Sequence, residues 1–355
     1  MAGLALLGAA CRDTPAQTEA TTAGSLVSLA PVSARMPEQP SDAPASTEAG
    51  APPAPAQAVV ASAPRAIVPA PAAAAPPRKQ AAALPPFTSA RQALLIDDAS
   101  GAVLYAKGAH VRTQPASLTK IATAIVAVER GDLDRVVTVD VDARKFYDST
   151  LMGLRPGDRF TVRDLLHGLM LASGNDAAVA VGRAVSGSDA AFVAEMNALV
   201  ERLGLQDTHF QNPHGLDEPG HYTSAYDIAM LSRYGMTLPD FRAIVDAETY
   251  TAKGSKTIKM ESLISGLLRW VPGATGVKSG YTDNAGRTLV LSADRDGHRL
   301  YSVVMNDPDR ELDGASLREW GFANHVWAAT VAPPPPAVVA QPTPEPESDI
   351  VRAAR

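Results

Sequence analysis

A chain of 355 residues allows two or three domains, yet its 3 Trp, 8 Tyr, 7 Phe and 7 His all lie between Phe87 and Trp327, and most of its 29 Pro lie outside that window. Segments rich in Ala, Pro, Ser and Thr and free of aromatics cannot bury enough apolar surface to offset the entropy of ordering, so residues 12–86 and 331–355 are expected to be disordered around one domain at 87–330. The net charge of −6, with no Lys/Arg run, argues against nucleic acid, and the single cysteine excludes a disulfide framework or a Cys-based metal cluster.

In chain order, Met1 to Ala10 is a short apolar run ending at Cys11. It is similar to an export signal that runs into a lipid-modified cysteine, although it has no basic residues and its nearest Leu stands four positions before Cys11. An ordinary secretory signal or an Ala-rich end fits the same residues. With Cys11 as anchor, residues 12–86 become a Pro-rich tether to a membrane, extended rather than compact. No apolar run is long enough to span a bilayer.

Gln92–Asp97 and Ala102–Tyr105 flank a Gly-containing turn and predict a β-hairpin. From Ser117 to Arg130, Ile121, Ile125 and Val128 recur at helical spacing and Gly131 marks a stop. Further helices are expected at about 163–171, 175–186, 189–203, 224–235 and 313–326. Strands return at Arg287–Ser292 and Leu300–Met305, joined by a short turn at 294–297 that makes them antiparallel. Strands at both ends of a helical middle predict a mixed α/β (α+β) fold, in which an antiparallel sheet is closed by both ends of the domain and interrupted by a helical insertion. His209, His214 and His221 show no metal-ligand spacing, so neither metal nor cofactor is expected.

Three short motifs carry the chemistry. Ser117 and Lys120, at i and i+3, share a helix face, and a desolvated lysine can take the proton of a serine hydroxyl that would otherwise be a poor nucleophile. Ser173 and Asn175 stand just before a helix, where the hydroxyl could relay a proton and the amide could bind a carbonyl. In Val277–Thr282, Lys278 supplies positive charge, Ser279 a hydroxyl for a carboxylate, and Gly280 room for a substrate backbone alongside. Each motif alone also reads blandly, as a helix cap, a turn or a surface strand.

Their order changes the odds. With Ala93–Asp97, Thr161–Leu166, Asn212-Pro-His-Gly-Leu216, Tyr222–Ala225 and Trp320-Gly-Phe322, the chain resembles the D-alanyl-D-alanine carboxypeptidases, the low-molecular-mass penicillin-binding proteins. The resemblance implies a β-lactamase/transpeptidase-like fold, a five-stranded antiparallel sheet flanked by helices with a helical subdomain. It implies Ser117 as acylated nucleophile, Lys120 as its base, and Ser173 with Asn175 as proton relay and substrate-amide contact. Lys278 and Ser279 would hold the substrate carboxylate, aided by Arg310 ten positions before the Trp-Gly-Phe, and the N–H groups of Ser117 and Tyr281 would form the oxyanion hole.

The expected substrates are peptidoglycan stem peptides, with β-lactam antibiotics as inhibitors, and the expected location is the periplasm or cell envelope. Ser279 stands where the family usually has Thr, which keeps the hydroxyl. The family often carries a second, β-rich domain and a C-terminal amphipathic anchor; here a short Pro-rich tail follows Thr330, which favours an anchor at Cys11. Removal of a terminal D-Ala competes with two other readings, a β-lactamase and a non-catalytic penicillin- or peptidoglycan-binding module. A DD-endopeptidase is a variant of the first.

Overall fold

The structure, a computed structural model, describes residues 74–80 and 83–328; Cys11, the run before it and the tail lie outside the described residues. In chain order it contains β1 (Arg78–Lys79), β2 (Gln92–Asp97), β3 (Val103–Lys107), a 3₁₀ turn (Ala116–Leu118), α1 (Thr119–Arg130), β4 (Val136–Thr138), β5 (Arg159–Thr161), α2 (Val162–Met170), α3 (Asn175–Ser186), α4 (Asp189–Arg202), α5 (Ala225–Gly235) and α6 (Pro239–Val245). There follow β6 (Thr249–Lys253), β7 (Thr257–Glu261), α7 (Ser265–Trp270), β8 (Ala274–Thr282), β9 (Gly286–Arg295), β10 (His298–Met305), α8 (Arg310–Asn324) and β11 (His325–Val326). Among these, no single helix is long and apolar enough to cross a membrane.

The main sheet is five-stranded and antiparallel in the order β3-β2-β10-β9-β8, so strands from both ends of the domain close it, as the sequence predicts. Every residue of β2 is buried because helices cover both sheet faces. Its alternation divides two cores. Leu94 and Ile96 join the large cluster around α1, whereas Ala93 joins Leu289, Leu291 and Leu317 on the α8 side. β9 and β10 turn through Asp296 and Gly297, both at positive φ (50° and 79°), as a tight two-residue hairpin requires.

Helix boundaries follow local chemistry. Thr161 and Asp164 form a reciprocal capping box on α2: the Asp164 N–H donates to Thr161 Oγ1 (3.0 Å) and the Thr161 N–H to Asp164 Oδ2 (3.2 Å). Ser224 accepts from the Asp227 N–H (3.1 Å) to start α5. α1 is buried from Thr119 to Ala127, which explains why its sequence is apolar on more than one face.

Two expectations are adjusted. β1 pairs with β11 (Arg78 opposite Val326, Lys79 opposite His325), so the packed region starts before Phe87, inside the stretch assigned to the tether. The last helix begins at Arg310 rather than 313, which places Arg310 in its first turn. The ribbons β4–β5 and β6–β7 and the short helices α6 and α7 were not foreseen. Their strands and helices are too short to show a period.

Candidate active site

The site lies where the start of α1 meets β8, an edge strand of the main sheet. Ala116 and Ser117 precede α1 in the 3₁₀ turn, with Ala116 at φ 49°, an unfavourable conformation for a residue with a side chain. The loop at Asn212–Leu216, between α4 and α5, explains its persistence. A Cβ on Gly215 would sit 1.8 Å from the Ala116 carbonyl oxygen, so only glycine admits this contact. Asn212 holds the loop by accepting from the N–H groups of His214 (3.2 Å) and Gly215 (2.7 Å).

Lys120, one helical turn after Ser117, is fully buried. Its Nζ donates to Ser117 Oγ (2.9 Å), Asn175 Oδ1 (2.6 Å) and the His214 carbonyl (2.6 Å). Burial, and next the charge of Lys278, push its pKa well below the usual lysine value, while Asp176 opposes the shift. Ser173 Oγ donates to Ser117 Oγ at 3.0 Å. Ser173 is not a helix cap: α3 starts after Gly174, and Ser173 takes φ 55°, which turns its side chain toward the nucleophile. All three predicted polar groups, Lys120, Ser173 and Asn175, therefore converge on or beside Ser117.

On β8, Lys278 is buried and donates to the Ser279 carbonyl (2.8 Å); burial and then Arg310 push its pKa down to about 7. Ser279 is buried and Tyr281 exposed, its hydroxyl donating to Asp283 (2.8 Å). Arg310 lies behind this strand, donating from Nη1 to the Gly280 carbonyl (2.7 Å) and from Nε to Glu311 (2.8 Å). Gly280 is also tightly packed: a Cβ there would lie 2.9 Å from the Ser117 backbone nitrogen and 2.8 Å from Thr288 Oγ1. Its missing side chain admits the nucleophile's own turn against the strand.

Three participants escaped sequence reasoning. The His214 carbonyl, not its ring, meets Lys120; the ring is pushed to about 3 by burial, by Lys120 and by His221. His221 accepts from the Gln211 N–H at Nδ1 (2.9 Å), which leaves the hydrogen on Nε2 facing Thr119 Oγ1 (2.9 Å), so this histidine is neutral and structural. Asp176, next to Asn175 in the sequence, is fully buried and accepts four backbone N–H groups, from Met152 (2.8 Å) and Ala177 (2.9 Å) at Oδ1 and from Gly153 and Leu154 (both 2.8 Å) at Oδ2. Only its place in Ser-Gly-Asn-Asp could have flagged it. Among the described residues, no three His, Cys, Asp or Glu side chains are placed to hold a metal ion.

A serine and lysine at the head of a buried helix, a second serine across the cleft and a Lys-Ser-Gly edge strand define the class of transpeptidase-like folds found in penicillin-binding proteins. The solved Streptomyces K15 DD-transpeptidase aligns with 68% of this chain and 100% of its own at 30% identity and a TM-score of 0.63. Penicillin-binding protein 5 from Haemophilus influenzae aligns with 68% of this chain and 73% of its own at 36% identity and a TM-score of 0.63. The chain belongs to the D-alanyl-D-alanine carboxypeptidase family, whose sequence profile matches residues 79–309. It is 39% identical over 247 residues to the D-alanyl-D-alanine carboxypeptidase DacD of Salmonella typhimurium, 65% of this chain and 62% of the relative. Against DacA of Escherichia coli the identity is 39% over 249 residues, 66% of this chain and 60% of the relative. The chain thus spans about three fifths of the length of these relatives.

Proposed function

We propose that this protein is a serine D-Ala-D-Ala carboxypeptidase that removes the terminal D-alanine from peptidoglycan stem peptides through an acyl-enzyme on Ser117. The observation that carries the reading is the buried Lys120 Nζ, 2.9 Å from Ser117 Oγ with two further oxygen acceptors. A neutral amine has two hydrogens. If they go to Asn175 Oδ1 and the His214 carbonyl, the lone pair is left for the Ser117 hydroxyl proton.

In the proposed reaction Ser117 Oγ attacks the carbonyl carbon between the two D-alanines as Lys120 takes its proton. The oxyanion forms beside the N–H groups of Ser117 and Tyr281. Ser173 passes the proton to the departing amine, D-alanine leaves, and water resolves the ester with Lys120 again as base. Lys278, Ser279 and the charge of Arg310 hold the terminal carboxylate, and Asn175 contacts the substrate amide. β-Lactams would acylate Ser117 by the same attack. The family relatives' names support this reading. Against a β-lactamase stands the use of Asp176, the carboxylate adjoining the site, on four backbone N–H groups.

D-alanine release from a stem pentapeptide tests the assignment. Ser117→Ala should abolish it and Lys120→Ala should slow it by orders of magnitude, with both proteins folded; release by Ser117→Ala at the wild-type rate would overturn the reading. Residues 1–11 are assigned to export, with Cys11 as lipid anchor, the Pro-rich stretch after it as tether and the envelope as location, on the apolar run and lone cysteine. Cys11→Ala should move the protein from the membrane fraction to the soluble periplasmic fraction.

A further inference from the structure

We infer that Asp176 is a positioning residue for the proton-relay serine, a role that rests on the Ser117 reading above. Its carboxylate fastens the segment 152–154 to the head of α3 through three of the backbone N–H bonds already described, from Met152, Gly153 and Leu154, and the fourth, from Ala177, fixes the carboxylate on α3 itself. Thr150, two residues before that segment, holds the turn that carries Ser173. Thr150 Oγ1 donates to the Ser173 carbonyl (2.8 Å), and the Asn175 N–H donates back to the Thr150 carbonyl (2.9 Å). Ser173 stands at φ 55°, a conformation unfavourable for a residue with a side chain that persists only where the surroundings fix it.

The chemistry requires a carboxylate here. Both oxygens accept, each from two N–H groups, so the amide of an asparagine would turn its NH₂ toward two donors in either orientation. The segment must then shift, and with it Thr150 and the Ser173 carbonyl. Asp176 also acts on Lys120 through charge. The charged and titratable groups around Lys120 are Lys278 from β8, His214 from the loop before α5, and Asp176 from α3, the one anion among them. Removing that anion lowers the lysine's proton affinity further.

The test is steady-state D-alanine release as a function of pH by the full chain, its Asp176→Asn and Thr150→Val variants, and Ser117→Ala. Asp176→Asn should lose about tenfold to a hundredfold in kcat, part of what a positioned proton donor supplies, with KM within about threefold because Lys278 and Ser279 are untouched. Its acid limb should move to lower pH, which a merely structural role would not cause. Thr150→Val removes one bond to the Ser173 turn and no charge, so it should lose less in kcat and keep the wild-type acid limb. Wild-type kcat in a folded Asp176→Asn, or a loss carried by KM, would overturn the inference. If Asp176→Asn does not fold, wild-type kcat in Thr150→Val overturns it. Activity surviving in Ser117→Ala would instead sink the nucleophile assignment, which separates the two failures.

Discussion

Two buried lysines face opposite demands in one cleft. In the proposed reaction Lys120 must lose its proton to serve Ser117, and Lys278 must keep its own to hold a carboxylate. Burial depresses both, and each stands near another cation, Lys120 beside Lys278 and Lys278 beside Arg310. Activity should therefore rise with pH through the depressed pKa of Lys120. In the free enzyme, Lys278 is half neutral at about 7, so carboxylate binding weakens as pH rises through that value. A bound carboxylate favours the charged lysine and moves this limb upward. The expected profile has kcat/KM falling above about pH 7 while kcat holds to higher pH. A kcat/KM that stays level well above pH 7 would contradict the role given to Lys278.

At the scale of elements, the site is an accident of no single helix or strand: the 3₁₀ turn before α1 brings Ser117 and α1 itself Lys120, the turn into α3 brings Ser173 and the first residue of α3 is Asn175, and β8 brings Lys278 and Ser279. Helices were legible where periodicity was long, as in α1, α3 and α4, whose ends agree with the sequence reading within a residue or two. The hydroxyl, amine and amide groups were legible because their types and order match a known family. The His214 carbonyl and the Asp176 clamp were not, since a backbone oxygen has no residue signature and a buried aspartate looks in sequence like a helix-start residue. The α2 capping box gives an element-scale prediction. Thr161→Ala should cost about 1 kcal/mol, or roughly 2–4 °C in Tm, without altering acylation. An unchanged Tm would mean that the tertiary packing of Val162 and Leu165 alone fixes the helix start.

For the molecule as a whole, the aromatic residues put the start of the expected domain at Phe87, whereas the structure has a paired strand before it. A two-residue strand has no periodicity, and Arg78–Lys79 is recognisable only through its pairing with β11. The same entry segment places Lys79 over the Trp320 ring (5.6 Å) and lets Trp320 Nε1 donate to the Ala83 carbonyl (3.3 Å). A chain trimmed to 74–328 should keep the wild-type Tm and rate of acylation. Trimming to 87–328 should lower Tm while acylation persists, because α8 loses its cover at the end of the sheet remote from Ser117. Equal Tm values for the two would show that β1 contributes nothing to the fold.

The central claim is a covalent bond to Ser117, and intact mass followed over time with a penicillin reads that bond directly. A persistent adduct of one penicillin should form on the wild-type protein and none on Ser117→Ala. An adduct that appears on both proteins, or on neither, would contradict it, and one that vanishes as the drug is hydrolysed would identify a β-lactamase instead.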